Sequence, residues 1–178
     1  MKNKSTKKLA YAALFLALCL VLPLLTGQIP QIGSMLLPMH IPVLLCGLVC
    51  GWQYGAAVGF VAPLLRSLLF TMPKLYPVAI AMAFELLTYG LVIGLVYRRL
   101  AKKGMVGVYA ALVTAMVAGR LVWGAAEVVL LGLGGSAFTA QAFLAGALLN
   151  AVPGIIVQLI LIPAVMAALQ KANAIEKQ

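Results

Sequence analysis

The sequence contains very few acidic residues and little charge of either sign. Three of its 178 residues are Asp or Glu and nine per cent are charged, whereas 65 per cent are hydrophobic. Soluble domains are about one quarter charged, so a soluble domain is excluded. One histidine and three cysteines, the latter all inside apolar runs, favour neither a metal cluster nor a disulfide framework. We expect an integral membrane protein with no cofactor, no metal and no enzymatic activity.

Long apolar runs fill most of the chain and predict transmembrane helices. They cover residues 8–25, 41–51, 56–71, 77–97, 106–132 and 139–169. A spanning helix needs about 20 apolar residues, so the runs fit about six spans in one domain, residues 1–178. The first run is long enough to be a retained helix rather than a signal peptide. The predicted fold class is all-α, a polytopic bundle of six transmembrane helices.

The second and third runs raise the question of whether 39–70 is one helix or two. A single helix of that length would be ~48 Å long, too long for a hydrocarbon core of about 30 Å. With only five spans, Arg98–Lys103 would also lie opposite the basic N-terminus, against the bias of basic residues toward the cytoplasm. We therefore predict a turn near "GWQYG", residues 51–55, and expect both flanking helices to be short. Glycines at 47, 51, 55 and 59 recur every four residues, which predicts that helix backbones approach closely there.

Basic residues mark the helix ends and give the predicted orientation. The net charge of +10 is concentrated in Lys2–Lys8, Arg98–Lys103 and Lys171–Lys177, a pattern of helix flanks rather than of a nucleic-acid surface. The bias of basic residues toward the cytoplasm places both termini there. Lys74 then lies in an outer loop, as the lone outer cation.

Ionisable side chains inside the predicted spans are the candidate functional residues. They are Arg66, Glu85, Arg120 and Glu127. Counted from the outer end of each helix at 1.5 Å per residue, these four residues lie in the outer half of the bundle or near its midplane. Such charges are costly in lipid and face the bundle interior or a water-filled cavity. Neighbours in the same layer complete the candidate binding set, of which His40 is interpreted chiefly as an interfacial residue in contact with water. The set is Arg66, Glu85, Tyr89, Arg120, Trp123, Glu127, Asn150 and His40.

Two interpretations of this polar layer are open. In the first, the arginines pair with the glutamates and only hold helices together. In the second, which we favour, they line a cavity that is open to the outside, because Arg matches carboxylate or phosphate groups and aromatic rings offer flat surfaces for a ligand. The chain has no nucleotide-binding G-x-x-x-x-G-K-[ST] motif and no line of acidic or histidine residues that would carry protons inward. A membrane protein that binds a solute but has no energy source of its own implies a partner protein that supplies the energy for transport.

Two segments, "MLLPMHIPVLLCGLVCGWQYGAAVGFVAPLLRSLLF" and "YPVAIAMAFELLTYGLVIGLVYRR", resemble the substrate-binding S components of energy-coupling factor (ECF) vitamin transporters. The resemblance implies a protein of the bacterial plasma membrane that binds a vitamin or related micronutrient from outside. It also implies docking onto a transmembrane T component that carries two ATPase subunits. Ala13 and Ala17, in "ALFLA", match the A-x-x-x-A docking motif of the first helix in that family, although packing within the bundle would also explain them.

The residues leave the substrate and two other functions open. Arginines would suit an anion such as pantothenate if the glutamates do not neutralise them, and an uncharged ring such as a B6-type vitamer is equally compatible. A stand-alone secondary transporter would need a coupling-ion site and internal repeats, which the sequence does not display. A lipid-modifying membrane enzyme could use Glu85 or Glu127 as a base, but no nucleophile with an adjacent base is evident.

Overall fold

The computed structural model describes residues 2–25, 35–134, 139 and 151–172, and all regular elements in those ranges are helical. The all-α prediction is confirmed for that part of the chain. A π-helical turn, Leu75–Ala79, precedes the fourth helix and a 3₁₀ turn, Ala101–Lys103, follows it. The helices are α1 (Lys2–Leu25), α2 (His40–Cys50), α3 (Trp52–Phe70), α4 (Ile80–Leu100), α5 (Met105–Leu133) and α6 (Val152–Lys171).

Five helical segments in the described ranges are long and apolar enough to cross a membrane. The other helix, α2, is also apolar but has 11 residues and is about 16 Å long, roughly half the hydrocarbon thickness. The prediction of a short second helix is confirmed. The prediction of a short third helix is wrong, because α3 begins directly after the turn and its 19 residues reach spanning length. The five segments are Ser5–Leu25, Trp52–Phe70, Leu75–Lys103, Met105–Leu133 and Val152–Lys171.

Gly51 separates α2 from α3 and confirms the predicted turn. Its backbone has φ 98° and ψ 169°, a conformation that residues with a Cβ rarely adopt and that glycine adopts readily. The chain therefore changes direction at one residue, without a loop. This arrangement lets α3 begin at Trp52 and pack back along α2.

The backbones of α2, α3 and α4 touch along a glycine seam, which consists of Gly47, Gly55, Gly59, Gly90 and Gly94. A Cβ placed on any of the five would come closer than 3.0 Å to an atom of a neighbouring helix. For Gly55 and Gly90 the nearest atoms belong to backbone, so the helices could not shift a side chain to make room. The predicted close approach is confirmed for Gly47, Gly55 and Gly59, whereas Gly51 forms the turn instead.

The short helix α2 lies inside the bundle and α1 lies on its outside. All residues of α2 except Ile41 and Val49 are buried, as expected of a helix that is apolar on every side. Helix α1 packs against α2 and α3 through buried Ala12 and Cys19. Its opposite face is exposed, and that face contains Leu9, Ala13, Leu14, Ala17 and Val21.

Candidate functional site

Three of the predicted site residues meet at one point in the bundle, on α2, α4 and α5. Oε1 of Glu85 lies 2.9 Å from Nη1 of Arg120 and 3.4 Å from Nε2 of His40. Glu85 and His40 are almost completely buried, at 1% and 2% exposure. The interpretation of His40 as an interfacial residue in contact with water is therefore wrong. Since it begins α2, and α2 is enclosed by other helices, its ring is held inside the protein.

Two aromatic residues of the predicted set border this cluster. The ring of Tyr89, one turn along α4 from Glu85, meets the ring of His40 edge to face at 5.2 Å between centroids. Tyr89 also packs against Gly119 of α5, where a Cβ would collide with its ring. Trp123 lies one turn from Arg120 on α5, with 5.9 Å between the guanidinium carbon and the ring centroid, within the range of a cation–π contact.

Several buried polar atoms of the cluster have no hydrogen-bond partner among the described residues. They include both ring nitrogens of His40, Oε1 of Glu85, and Nε and Nη2 of Arg120. Glu85 therefore lies within ion-pair distance of Arg120 and His40, but the angles are not those of hydrogen bonds. Buried polar groups are nearly always paired in folded proteins, so this concentration of unpaired groups marks a place where a further molecule would be stabilised.

Arg66 is buried but does not reach this cluster. Its Nη1 donates a hydrogen bond of 2.5 Å to the carbonyl oxygen of Leu20 in α1, and its guanidinium carbon lies 5.1 Å from the ring centroid of Phe70. In the described structure Arg66 therefore connects α3 to α1.

Glu127 and Asn150, the other members of the predicted set, stand apart. Glu127 is buried at 6% exposure and lies two turns from Arg120 on α5, about 10 Å along the helix axis. No ion pair joins it to a basic residue of the described ranges. Asn150 lies outside the described residues.

Gln158 of α6 is a buried polar residue that the sequence analysis missed. It is 1% exposed and its Nε2 has no hydrogen-bond partner in the part of the chain that the structure describes. Gly154, one turn earlier, packs against the backbone of Met35 and Leu36, shortly before His40 in the chain. Helix α6 also contacts α2 and α5, the helices that carry His40 and Arg120. An amide inside the long apolar run of α6 was the signal that could have revealed it.

The family model described as "ECF transporter, substrate-specific component" matches residues 7–166, which includes every helix that forms the site. The chain belongs to this family. No curated protein and no solved structure matches the chain significantly.

Membership identifies the chain as an ECF substrate-specific component, a membrane transport subunit. The resemblance found in the two sequence segments is confirmed. Components of this kind bind small-molecule substrates and pair with T and ATPase subunits. They are transport subunits and not enzymes, so membership gives no support to a lipid-modifying reaction or to a stand-alone secondary transporter.

Proposed function

We propose that this ECF substrate-specific component binds a vitamin or related micronutrient from outside the cell and delivers it across the membrane as part of an ECF-type ABC transporter. The cluster of Glu85, Arg120 and His40 carries the proposal. Its charged and polar groups are enclosed by helices, yet several of them have no partner within the described protein. A buried ion pair is costly unless further hydrogen bonds satisfy it, and a bound ligand would supply them.

The proposed site contains the cluster and the residues around it. Tyr89 and Trp123 offer aromatic surfaces beside it, and Glu127 and Asn150 are proposed to border the ligand. Arg66 is assigned to the α1–α3 contact rather than to the ligand, because its guanidinium is engaged by Leu20. Pantothenate and a B6-type vitamer are the candidate substrates.

Ligand binding can be tested on the purified protein. Small molecules that co-purify with the wild-type chain are extracted and identified by mass spectrometry, and the affinity for the identified molecule is then measured by calorimetry. We expect Glu85→Gln and Arg120→Gln to weaken binding at least about tenfold, since each removes a charged partner. Arg98→Gln, at an exposed end of α4, is the matched control. Unchanged affinity in both site variants would reject the assignment.

We further propose that the exposed face of α1 docks onto the T component of a module with two ATPase subunits. Ala13 and Ala17 are both exposed on that face, so they are available for a contact outside the bundle, and small residues allow helix backbones to approach closely. Ala13→Leu with Ala17→Leu should prevent co-purification with the T component while ligand binding persists. Ala125→Leu, at an exposed alanine of α5, should affect neither. Normal co-purification of the double variant would exclude this face.

The proposed topology has six membrane segments, with α2 as the short one, both termini cytoplasmic and Lys74 outside. It is supported by the basic residues at the ends of α4 and α6 and by the exposed position of Lys74 in the turn before α4. In a variant lacking the three native cysteines, Lys74→Cys should react with a membrane-impermeant maleimide in intact bacteria. Lys102→Cys should react only after lysis. The reverse pattern would invert the proposed orientation and place the binding site on the wrong side.

A further inference from the structure

Only one of the three nitrogen atoms of the Arg120 guanidinium group lies close to an acceptor that the structure describes. Its Nη1 lies 2.9 Å from Oε1 of Glu85, whereas Nε and Nη2 are buried and have no hydrogen-bond partner among the described residues. Nε and Nη2 form one edge of the planar group, with two N–H bonds that point the same way. Arg120 therefore presents a two-pronged donor edge that the described protein leaves unfilled.

The neighbours of Arg120 do not fill that edge. Trp123 contacts the face of the guanidinium group, at 5.9 Å from its ring centroid, and a contact with the face does not use the N–H bonds in the plane. Glu127 is two turns away along α5, about 10 Å. Glu85 is shared, because the same oxygen that contacts Arg120 also lies 3.4 Å from Nε2 of His40. Glu85 thus contacts the guanidinium group at Nη1 and leaves the edge formed by Nε and Nη2 open.

We infer that the free edge of Arg120 receives a pair of oxygen atoms from the ligand, and that the ligand is therefore a small organic acid bound through its carboxylate. Two parallel N–H bonds match the two oxygens of a carboxylate, and such charge-assisted pairs are among the strongest hydrogen bonds in proteins. Without an acceptor the two buried donors would each cost free energy. This inference rests on the proposed function and narrows its substrate class.

The side chain of Gln158 also favours a ligand with several hydrogen-bond acceptors. Its unpaired Nε2 is also a donor and is also buried, on a helix that packs against the chain just before His40. Three of the unpaired buried nitrogens, two on Arg120 and one on Gln158, can only donate hydrogen bonds. The balance of the site is thus toward donors, which is the complement of a carboxylate.

The test uses the intact purified chain and pairs of probes that differ only in the acid group. Nicotinate is compared with nicotinamide, and pantothenate with pantothenol, by calorimetry, and the molecule that co-purifies is identified by mass spectrometry. We expect that molecule to carry a carboxylate, and the acid of a bound pair to bind about 30-fold or more tightly than its neutral partner, since two hydrogen bonds to a charged group are lost. Arg120→Lys, which keeps the charge but not the edge, should lose the same preference.

The outcomes separate this inference from the proposed function. A tightly bound ligand that lacks an acid group, such as a neutral B6-type vitamer, would overturn the acid inference and leave the transport role intact. Equal affinity for acid and neutral probes, or an undiminished preference in Arg120→Lys, would do the same. If no small molecule co-purifies, no probe binds and the chain does not associate with a T component, the proposed function itself is rejected. The probe pairs need no variant, so misfolding of Arg120→Lys cannot obscure the answer.

Discussion

Arg120 of α5 and Glu85 of α4 lie 2.9 Å apart, Nη1 to Oε1, and their side chains are 13% and 2% exposed. The pair joins two long helices at the place where the aromatic rings and His40 also meet. Removing one member of a buried pair leaves an uncompensated charge, which is more damaging than removing both. Stability measurements can therefore separate the structural part of this contact from its part in binding.

Glu85→Leu should destabilise the protein by about 3–5 kcal/mol, because Arg120 would remain charged in an apolar interior. The double variant Glu85→Leu with Arg120→Leu should recover much of that loss. Unfolding of the purified, ligand-free protein in mixed detergent micelles would measure both. Arg120→Leu alone completes the cycle. If the double variant loses as much stability as Glu85→Leu and Arg120→Leu combined, the two charges do not interact.

The glycine seam predicts a large effect from a single methyl group. Gly90→Ala would place its Cβ closer than 3.0 Å to the backbone of Gly55, so α3 and α4 would have to separate and stability should fall by about 1–3 kcal/mol. Gly132→Ala is the matched control, since nothing lies within 4 Å of the position of its Cβ. That variant should be neutral or slightly stabilising, because alanine favours helix. Thermal unfolding in detergent compares the two, and equal stabilities would contradict close backbone packing.

Arg66 should prove important for stability and unimportant for affinity. Arg66→Met keeps much of the side-chain volume but cannot donate to the carbonyl oxygen of Leu20, so a loss of about 1–3 kcal/mol is expected. Calorimetry with the co-purifying ligand should give the wild-type affinity. A clear loss of affinity with unchanged stability would return Arg66 to the binding site, where the sequence analysis had placed it.

Gln158 is expected to behave in the opposite way. Its Nε2 is buried without a partner in the described structure, so Gln158→Met should cost no stability and could raise it, since an unpaired polar group is removed. Binding of the co-purifying ligand should nevertheless weaken by about tenfold, the value of one lost hydrogen bond. Thermal unfolding and calorimetry on the same preparation check both parts. A destabilised variant with normal affinity would show that Gln158 serves the fold.

Much of the architecture could be predicted because apolar runs, glycine spacing and charge at helix ends depend on local sequence. The turn near Gly51 followed from length, since one helix over 39–70 would be too long for the membrane, and from the bias of basic residues toward one side. Depth placed Glu85 and Arg120 in the same layer, and their pairing was one of the two interpretations left open. Depth does not fix the direction in which a side chain points around its helix, however. The contact of Arg66 with α1 could therefore not be predicted.

His40 and Gln158 show what sequence reasoning could not supply. His40 stands at the start of a helix, which in a full-length span would be a watery position, but α2 is short and enclosed, so its first residue is internal. Gln158 lies in an apolar run without a charge to draw attention to it. In both cases the neighbouring helices decide whether the residue is buried, and that information is not local.

The glycine seam also bears on how a bound molecule could leave. Where helices meet backbone to backbone, no layer of flexible side chains exists that could rearrange to let one helix slide past another. Helices α2, α3 and α4 should accordingly behave as a single rigid wall that holds His40 and Glu85 at a constant spacing. Release of cargo would then require movement of segments that do not belong to that wall.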